Sequence, residues 1–301
     1  MGDNRLGGVM VMISAGAGAL DYFPCCYGQS RSVFRGPMRD LSGAYVAVLG
    51  GSATFGKYVA VPYPDLVEQV TGCPVVNLGA LHGGPDVFLS DPAVLKVASQ
   101  AQVAVVQITG SEGLSNPLYT VHGRRNDRFL GASPALTALF PEVDFTDIHF
   151  VRHLLIVLAG TDPERFAVVV RALKANWVAR MRQLLAHLPP RRILLLLAEC
   201  APPVRAGGVD LGAGPLFVDA GMLDALCPFA EVLVDITPSA NARAEGLAAM
   251  QVPAAERALA SCLPGIGVHR EIAEVLAPTV ARLLHNGALT PLVLRQALAH
   301  A

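Results

Sequence analysis

Short apolar runs rich in Val, Ile and Leu recur along the chain, with enough residues between them for helices. The runs are nearly continuous rather than alternating, which is typical of strands in a parallel sheet that helices cover on both faces. The pattern predicts five strands, at residues 45–49, 75–78, 103–108, 193–197 and 232–236.

Amphipathic stretches with helical spacing fall between these runs. Asp91 and Pro92 match an N-cap followed by a first-position proline, and Pro189-Pro190 ends the longest stretch. The predicted helices are 64–70, 91–101, 166–188, 239–250 and 268–284. Strands that alternate with helices predict a three-layer α/β/α sandwich with a mainly parallel sheet of about five strands.

The chain shows no repeat and no long linker, so we expect an N-terminal arm (1–40) and a single α/β domain (41–301). Residues 109–165 fit no simple crossover, and they predict a mostly helical insertion that acts as a cap. Because the insertion follows the end of a strand, we expect it above the sheet edge where such folds bind ligands. It contains a polar, basic segment at 122–128.

Composition excludes several classes of protein. The 301 residues are 52% hydrophobic and 16% charged, with a formal net charge of −1, so neither a disordered chain nor a general nucleic-acid binder is expected. No apolar run approaches the roughly 20 residues that a membrane span needs. Six irregularly spaced cysteines favour free thiols in a reducing, cytoplasmic compartment. The first twenty residues leave a cleaved signal peptide as the alternative.

The first predicted strand runs into a glycine-rich turn at residues 50–57, and two chemistries compete for it. Gly51, Gly56 and Lys57 fit the spacing of a phosphate-binding loop, although Tyr58 stands where Ser or Thr would hold magnesium. Alternatively, Ser52 lies directly after a strand on a Gly-Gly turn, where a serine hydroxyl is exposed and can act as a nucleophile.

Three further blocks accompany Ser52. Gly79 ends the second strand, Asn116 follows the third, and His269 stands at the start of the last helix. In this order, and at these strand ends, the four blocks resemble the SGNH (GDSL-like) hydrolases. The resemblance covers residues 45–116 and 260–284.

The resemblance implies a serine esterase or acyltransferase that acts through a Ser-His dyad or an incomplete triad. Ser52 would be the nucleophile and His269 the base, and the N–H groups of Ser52 and Gly79 would bind the oxyanion together with the Asn116 side chain. The chain departs from the family pattern at two positions, because Glu112 stands at the usual asparagine place and Ile266 at the usual aspartate place. The resemblance implies no metal and no organic cofactor.

The substrate we expect is a small-molecule or saccharide ester. Arg124, Arg125 and Arg128 lie in the basic segment and would suit an anionic group, and His82 lies close enough to Gly79 to reach the same crevice. Asp127, among these arginines, is either their ion-pair partner or a catalytic acid.

Two alternatives stay open. One is a non-catalytic module of the same fold that binds an anionic metabolite or a saccharide, which the missing aspartate favours. The other is a phosphate-binding enzyme that uses the Gly51–Lys57 loop. The whole chain also resembles an uncharacterised bacterial family marked by residues 21–23 and 124–128, and that resemblance supplies no activity.

Overall fold

The computed structural model describes residues 20–198, 211 and 214–285 and the backbone of residues 292–297. The candidate signal peptide and the first half of the N-terminal arm lie outside the described residues. The strands are β1 (Val46–Gly50), β2 (Val75–Gly79), β3 (Val103–Gln107), β4 (Tyr119–His122), β5 (Arg125–Ala132), β6 (Arg192–Leu197), β7 (Val232–Thr237) and β8 (Leu292–Ala297).

The α-helices in the described part of the chain are α1 (Ser52–Phe55), α2 (Tyr63–Thr71), α3 (Pro85–Leu89), α4 (Pro92–Ser99), α5 (Pro134–Leu139), α6 (Val151–Thr161), α7 (Pro163–His187), α8 (Ala220–Asp224), α9 (Ala240–Ala244), α10 (Arg257–Ala260) and α11 (Ile266–His285). None of the helices that the structure describes is long and apolar enough to cross a bilayer.

The main sheet confirms the predicted α/β fold. Within the described residues it has six strands in the order β2-β1-β3-β6-β7-β8, and every neighbouring pair is parallel. The first five are the predicted strands, and their bounds differ from the prediction by one residue at most. β1 is flanked by β2 and β3, so its carboxyl end opens between the loops that follow those two strands.

Helices cover both faces of the sheet and complete the three layers. Successive strand residues point to opposite faces, so Val48 of β1 packs with α2 and α11 while Leu49 packs with α4 and α7. Asp91 caps α4, as predicted, by accepting hydrogen bonds from Ala93 N and Val94 N.

The insertion differs from the prediction in one element. Its helices α5 and α6 agree with the mostly helical insertion that we expect, but the basic segment lies in an antiparallel hairpin, β4-β5. Tyr119, Val121 and Phe129 of this hairpin are buried in a core of the insertion's own, against α6 and the first half of α7. The sequence does not show the alternation of β5, because charged residues occupy positions 125, 127 and 128.

The helix predicted at 239–250 is shorter than expected. Ser239 caps it, but α9 ends at Ala244 and Gly246 follows with φ +48°, in the left-handed region that breaks a helix. Between α9 and α11 the chain therefore forms no long helix, and the only α-helix described there is the short α10.

The described part of the N-terminal arm packs on the domain. Tyr27 and Phe34 are buried in the main core, and the buried Arg35 guanidinium donates to the carbonyl oxygens of Gly56 and Ala60, each at 2.7 Å. Arg35 therefore fixes the chain immediately after α1.

Candidate functional site

A cavity of about 710 Å³ opens at the carboxyl ends of β1, β3, β6 and β7, beneath the insertion. Its size falls in the range of about 300–1,000 Å³ typical of small-molecule sites, and its place is the usual ligand crevice of a parallel sheet. The residues that line it and enter the argument below are Ser52, Ala53, His82, Gln107, Glu112, Asn126, Asp127, Arg152 and Ser261.

The turn that carries Ser52 is locked by a side chain from the neighbouring strand. Gln107 Oε1 accepts hydrogen bonds from Gly51 N (3.1 Å), Thr54 N (3.3 Å) and Thr54 Oγ1 (2.6 Å). Gly50 must be a glycine, because a Cβ there would lie 2.0 Å from Thr54 Oγ1 and 2.5 Å from Gln107 Oε1. This packing holds Ser52 at the start of α1 and on the cavity wall.

His82 follows β2 and meets Ser52 directly. Its backbone N–H donates a hydrogen bond to Ser52 Oγ at 3.0 Å, and His82 lines the same cavity as Ser52. The residue has φ +56°, a left-handed conformation that is uncommon outside glycine. The surrounding structure must therefore hold His82 in this conformation.

Asn126 of the hairpin provides that support. Its backbone N–H donates to His82 O (3.2 Å), its Oδ1 accepts from Gly84 N (2.7 Å), and its Nδ2 donates to His122 O (3.0 Å). Asn126 is buried, so these bonds are shielded from water. The insertion therefore holds the loop that presents His82 to Ser52.

The electrostatics of His82 favour its neutral form. Burial lowers the pKa of the His82 imidazole, the Asp127 carboxylate opposes that shift, and nearby cations such as Arg125 add to it. Asp127 follows Asn126 on β5 and lines the cavity as well, and its Oδ1 is buried without a hydrogen-bond partner among the described residues. A neutral imidazole beside a carboxylate is the form that accepts a proton.

Glu112 brings a second carboxyl group to the cavity. The residue is partly exposed, but its Oε2 is sealed from solvent and has no hydrogen-bond partner among the described residues. Burial raises the pKa of the Glu112 carboxyl to about 7, while a hydrogen bond from its own backbone N–H and then the charge of Arg152 act in the opposite direction. The carboxyl therefore exchanges between acid and carboxylate near neutral pH.

His269, the base expected from the sequence, lies elsewhere. Only 1% of its surface is exposed, its Nδ1 accepts a hydrogen bond from Tyr63 N (3.1 Å), and its ring stacks on Tyr63 with centroids 5.9 Å apart. Burial lowers the pKa of His269 to about 3, and Arg35 adds to the shift. His269 is not part of the cavity lining, so the structure does not bring the expected Ser52–His269 pair together.

The two other expected oxyanion donors are engaged locally. Gly79 N–H donates to Asn77 Oδ1 (2.9 Å), and Gly79 packs so tightly under α1 that a Cβ would lie 2.2 Å from Phe55 N. The Asn116 side chain closes its own turn, with Oδ1 accepting from Leu118 N and Nδ2 donating to a backbone carbonyl. Of the predicted donors, only the Ser52 N–H lies at the cavity.

The three expected substrate arginines lie on the outside of the hairpin rather than on the cavity wall. Arg124 donates to a carbonyl of the N-terminal arm, Arg125 pairs with Asp127 (3.4 Å), and Arg128 stacks over Phe150 at 4.3 Å. Arg152, which the sequence did not single out, lines the cavity instead.

The glycine-rich turn does not form a phosphate cradle. Lys57 pairs with Glu256 (Nζ to Oε2 2.9 Å), lies over the Tyr58 ring at 4.5 Å, and is not part of the cavity lining. Two backbone N–H groups of the turn are already bound to Gln107. Lys57 and two of the donors that a phosphate would need are therefore engaged within the protein.

Sequence reasoning missed the structural roles of Gln107 and Asn126. Gln107 is a polar residue that ends an otherwise apolar strand, which is a signal that could have been used. Asn126 carries no such signal, because its partners at 82, 84 and 122 meet it only through the fold of the hairpin. In the described part of the chain, no three or more His, Cys, Asp or Glu side chains cluster in a way that could hold a metal ion.

Comparison with known families adds one match. The model of a family described as a domain of unknown function (DUF6473) matches residues 10–284. Neither the curated proteins nor the solved structures gave a match to this chain.

Proposed function

The chain belongs to the DUF6473 family, whose description names no activity, and we propose from the cavity itself that it hydrolyses or transfers an ester-linked acyl group with Ser52 as nucleophile. One observation carries the proposal. Ser52 Oγ accepts a hydrogen bond from the backbone N–H of His82 at 3.0 Å, and both residues line one cavity at the carboxyl edge of the sheet. The mechanism keeps the predicted nucleophile and replaces the predicted base.

In the proposed first step the Ser52 oxygen attacks the ester carbonyl carbon while its proton passes to the neutral His82 imidazole. The Asp127 carboxylate stabilises the imidazolium that forms. Because Ser52 Oγ accepts its hydrogen bond from a backbone N–H, its own proton is free to be given to a base.

The carbonyl oxygen gains negative charge in the tetrahedral intermediate. The first N–H groups of a helix have no intrahelical acceptor, so those of Ser52 and Ala53 at the cavity are the donors proposed for this oxygen. Collapse of the intermediate breaks the ester C–O bond, and the leaving alkoxide takes the proton from His82. Water or an alcohol then repeats the sequence on the acyl-serine.

Labelling with a fluorophosphonate probe, followed by peptide mass spectrometry, tests the nucleophile. We expect a stoichiometric adduct on Ser52 that Ser52→Ala abolishes. Ser261→Ala is the matched control, because Ser261 lines the same cavity and has no assigned role; its adduct should equal that of the unmodified chain.

The second candidate is a non-catalytic binding module for a small metabolite or saccharide. The engagement of Gly79 N–H and of the Asn116 side chain favours it, because two of the three expected oxyanion donors are missing from the cavity. Folded protein that gives no adduct on Ser52 would contradict the esterase and favour this module.

A further inference from the structure

Glu112 is the cavity residue for which the proposed acyl-transfer mechanism has no use. It follows β3 by five residues, and its backbone is anchored because Tyr119 Oη donates to Glu112 O at 2.7 Å. Its Oε2 packs over Gly110, where a Cβ would lie 2.1 Å from that oxygen. The side chain is thus held at the cavity wall by its own turn.

An unpaired buried oxygen needs a reason, because leaving one without a partner costs about 1–3 kcal/mol. The described residues supply no partner for Glu112 Oε2, although Glu112 lines an open cavity. Glu112 is partly exposed at the cavity, so a ligand group that turns the carboxyl away from Gly110 would give Oε2 the partner it lacks.

The charges around Glu112 restrict what that group can be. Arg152 lines the same cavity and acts electrostatically on Glu112, so a ligand cation placed there would meet a like charge. An anion would face the Glu112 and Asp127 carboxyls. An uncharged hydroxyl avoids both conflicts, since it donates to a carboxylate and accepts from a carboxylic acid.

We propose that Glu112 forms the binding site for the alcohol half of the substrate, and that this half is an uncharged, hydroxyl-bearing group such as a polyol or sugar. The inference rests on the proposed function for the ester bond but assigns a different part of the substrate. It replaces the anionic group expected from Arg124, Arg125 and Arg128, which lie outside the cavity.

Three butyrate esters that differ only in the alcohol test this inference. We expect kcat/KM to be about tenfold or more higher for glyceryl monobutyrate than for ethyl butyrate, the scale of one hydrogen bond to a charged group. Glu112→Ala should bring that ratio close to one, and Glu112→Gln should keep part of it because an amide also donates and accepts. Glu164→Ala, at the exposed start of α7, is the matched control and should leave the ratio unchanged.

Equal kcat/KM for the glyceryl and ethyl esters in the unmodified chain would overturn the inference while leaving the esterase intact. A Glu112-dependent preference for butyrylcholine would overturn it too, because the ligand group would then be cationic.

Calorimetric binding of glyceryl monobutyrate to the Ser52→Ala variant separates the two proposals. If the unmodified chain gives no fluorophosphonate adduct, binding to Ser52→Ala that an added Glu112→Ala weakens would support the hydroxyl site and contradict the esterase. Binding that Glu112→Ala leaves unchanged would contradict the hydroxyl site. Thermal unfolding of each variant shows that it is folded.

Discussion

Two histidines of this chain lie in opposite environments, and the contrast explains why only one of them faces the cavity. His82 is exposed on the loop after β2, where its backbone N–H donates to Ser52 Oγ and the charge of Asp127 acts on its imidazole. His269 lies in the first turn of α11, sealed between that helix and α2, with Nδ1 bound to Tyr63 N. The first histidine therefore lines the cavity, and the second is sealed away from it.

The difference teaches that the position of a histidine along the chain is weaker information than what it packs against. A histidine near the start of the last helix predicts a base only when that turn faces the sheet edge. Here the turn faces α2 instead, and burial keeps the imidazole neutral by removing the water that would solvate its charge.

The largest expected effect is a difference in kcat/KM between variants of the two histidines. His82→Gln should lower kcat/KM for butyrate ester hydrolysis by about 10²–10⁴-fold, the usual contribution of a general base. His269→Gln should change it by less than about threefold. Steady-state kinetics on variants whose folding is verified by circular dichroism measures both; a large loss in His269→Gln with an active His82→Gln would restore the pair expected from the sequence.

The next effect concerns the support of the His82 loop. Asn126→Ala removes the acceptor of the buried Gly84 N–H and the donor to His122 O, so the free energy of unfolding should fall by about 2–3 kcal/mol. Urea unfolding measures this change, and Asn241→Ala, an exposed asparagine on α9, is the control. A loss as small as that of the control would show that the hairpin does not hold the loop.

The burial of His269 should make the free energy of unfolding depend on pH. The pKa of His269 is about 3 in the folded chain and 6.5 ordinarily. Below pH 6.5 the unfolded chain therefore binds a proton at this residue that the folded chain does not bind. His269 should therefore lower stability by about 2 kcal/mol between pH 7 and pH 5, and because the raised pKa of Glu112 acts in the opposite direction over this range, the loss is measured as the difference between the unmodified chain and His269→Gln.

Urea titrations at the two pH values check that loss, and His269→Gln should remove most of it. His285→Gln, an exposed histidine at the end of the same helix, serves as the control and should retain the full dependence. Equal pH dependence in His269→Gln and the unmodified chain would contradict the buried, neutral imidazole.

The smallest effect tests the phosphate-loop alternative. Lys57 and Glu256 form a partly exposed ion pair, with 21% and 44% of their side chains exposed, so Lys57→Met should cost no more than about 1 kcal/mol. Ester turnover should stay within about twofold, as in the control Lys96→Met. Magnesium-dependent nucleotide binding that Lys57→Met abolishes would contradict this assignment.

Much of the fold could be predicted because its signals are local. The apolar runs that became β1, β2, β3, β6 and β7 show their type within five or six residues, and Asp91-Pro92 marks the start of α4. The hairpin β4-β5 could not be predicted in the same way, since β4 has only four residues and β5 carries charge at Arg125, Asp127 and Arg128.

The candidate site was only partly predictable for the same reason. Ser52 could be placed at the sheet edge because the end of a strand and a Gly-Gly turn are adjacent to it in sequence. Gln107 holds the turn around Ser52 and Asn126 holds the backbone of His82, and no short pattern relates those positions.

The sequence by itself determined the parallel α/β sheet, the place of Ser52 at the end of β1 and the absence of a strong net charge, because periodicity, turn chemistry and composition are properties of the chain. Only the tertiary structure decided that His82 rather than His269 meets Ser52. Residues 52 and 82 lie 30 positions apart, and residues 63 and 269 lie 206 apart. Contacts at such separations follow from which surfaces bury one another, and packing of the hairpin and of α11 made that selection.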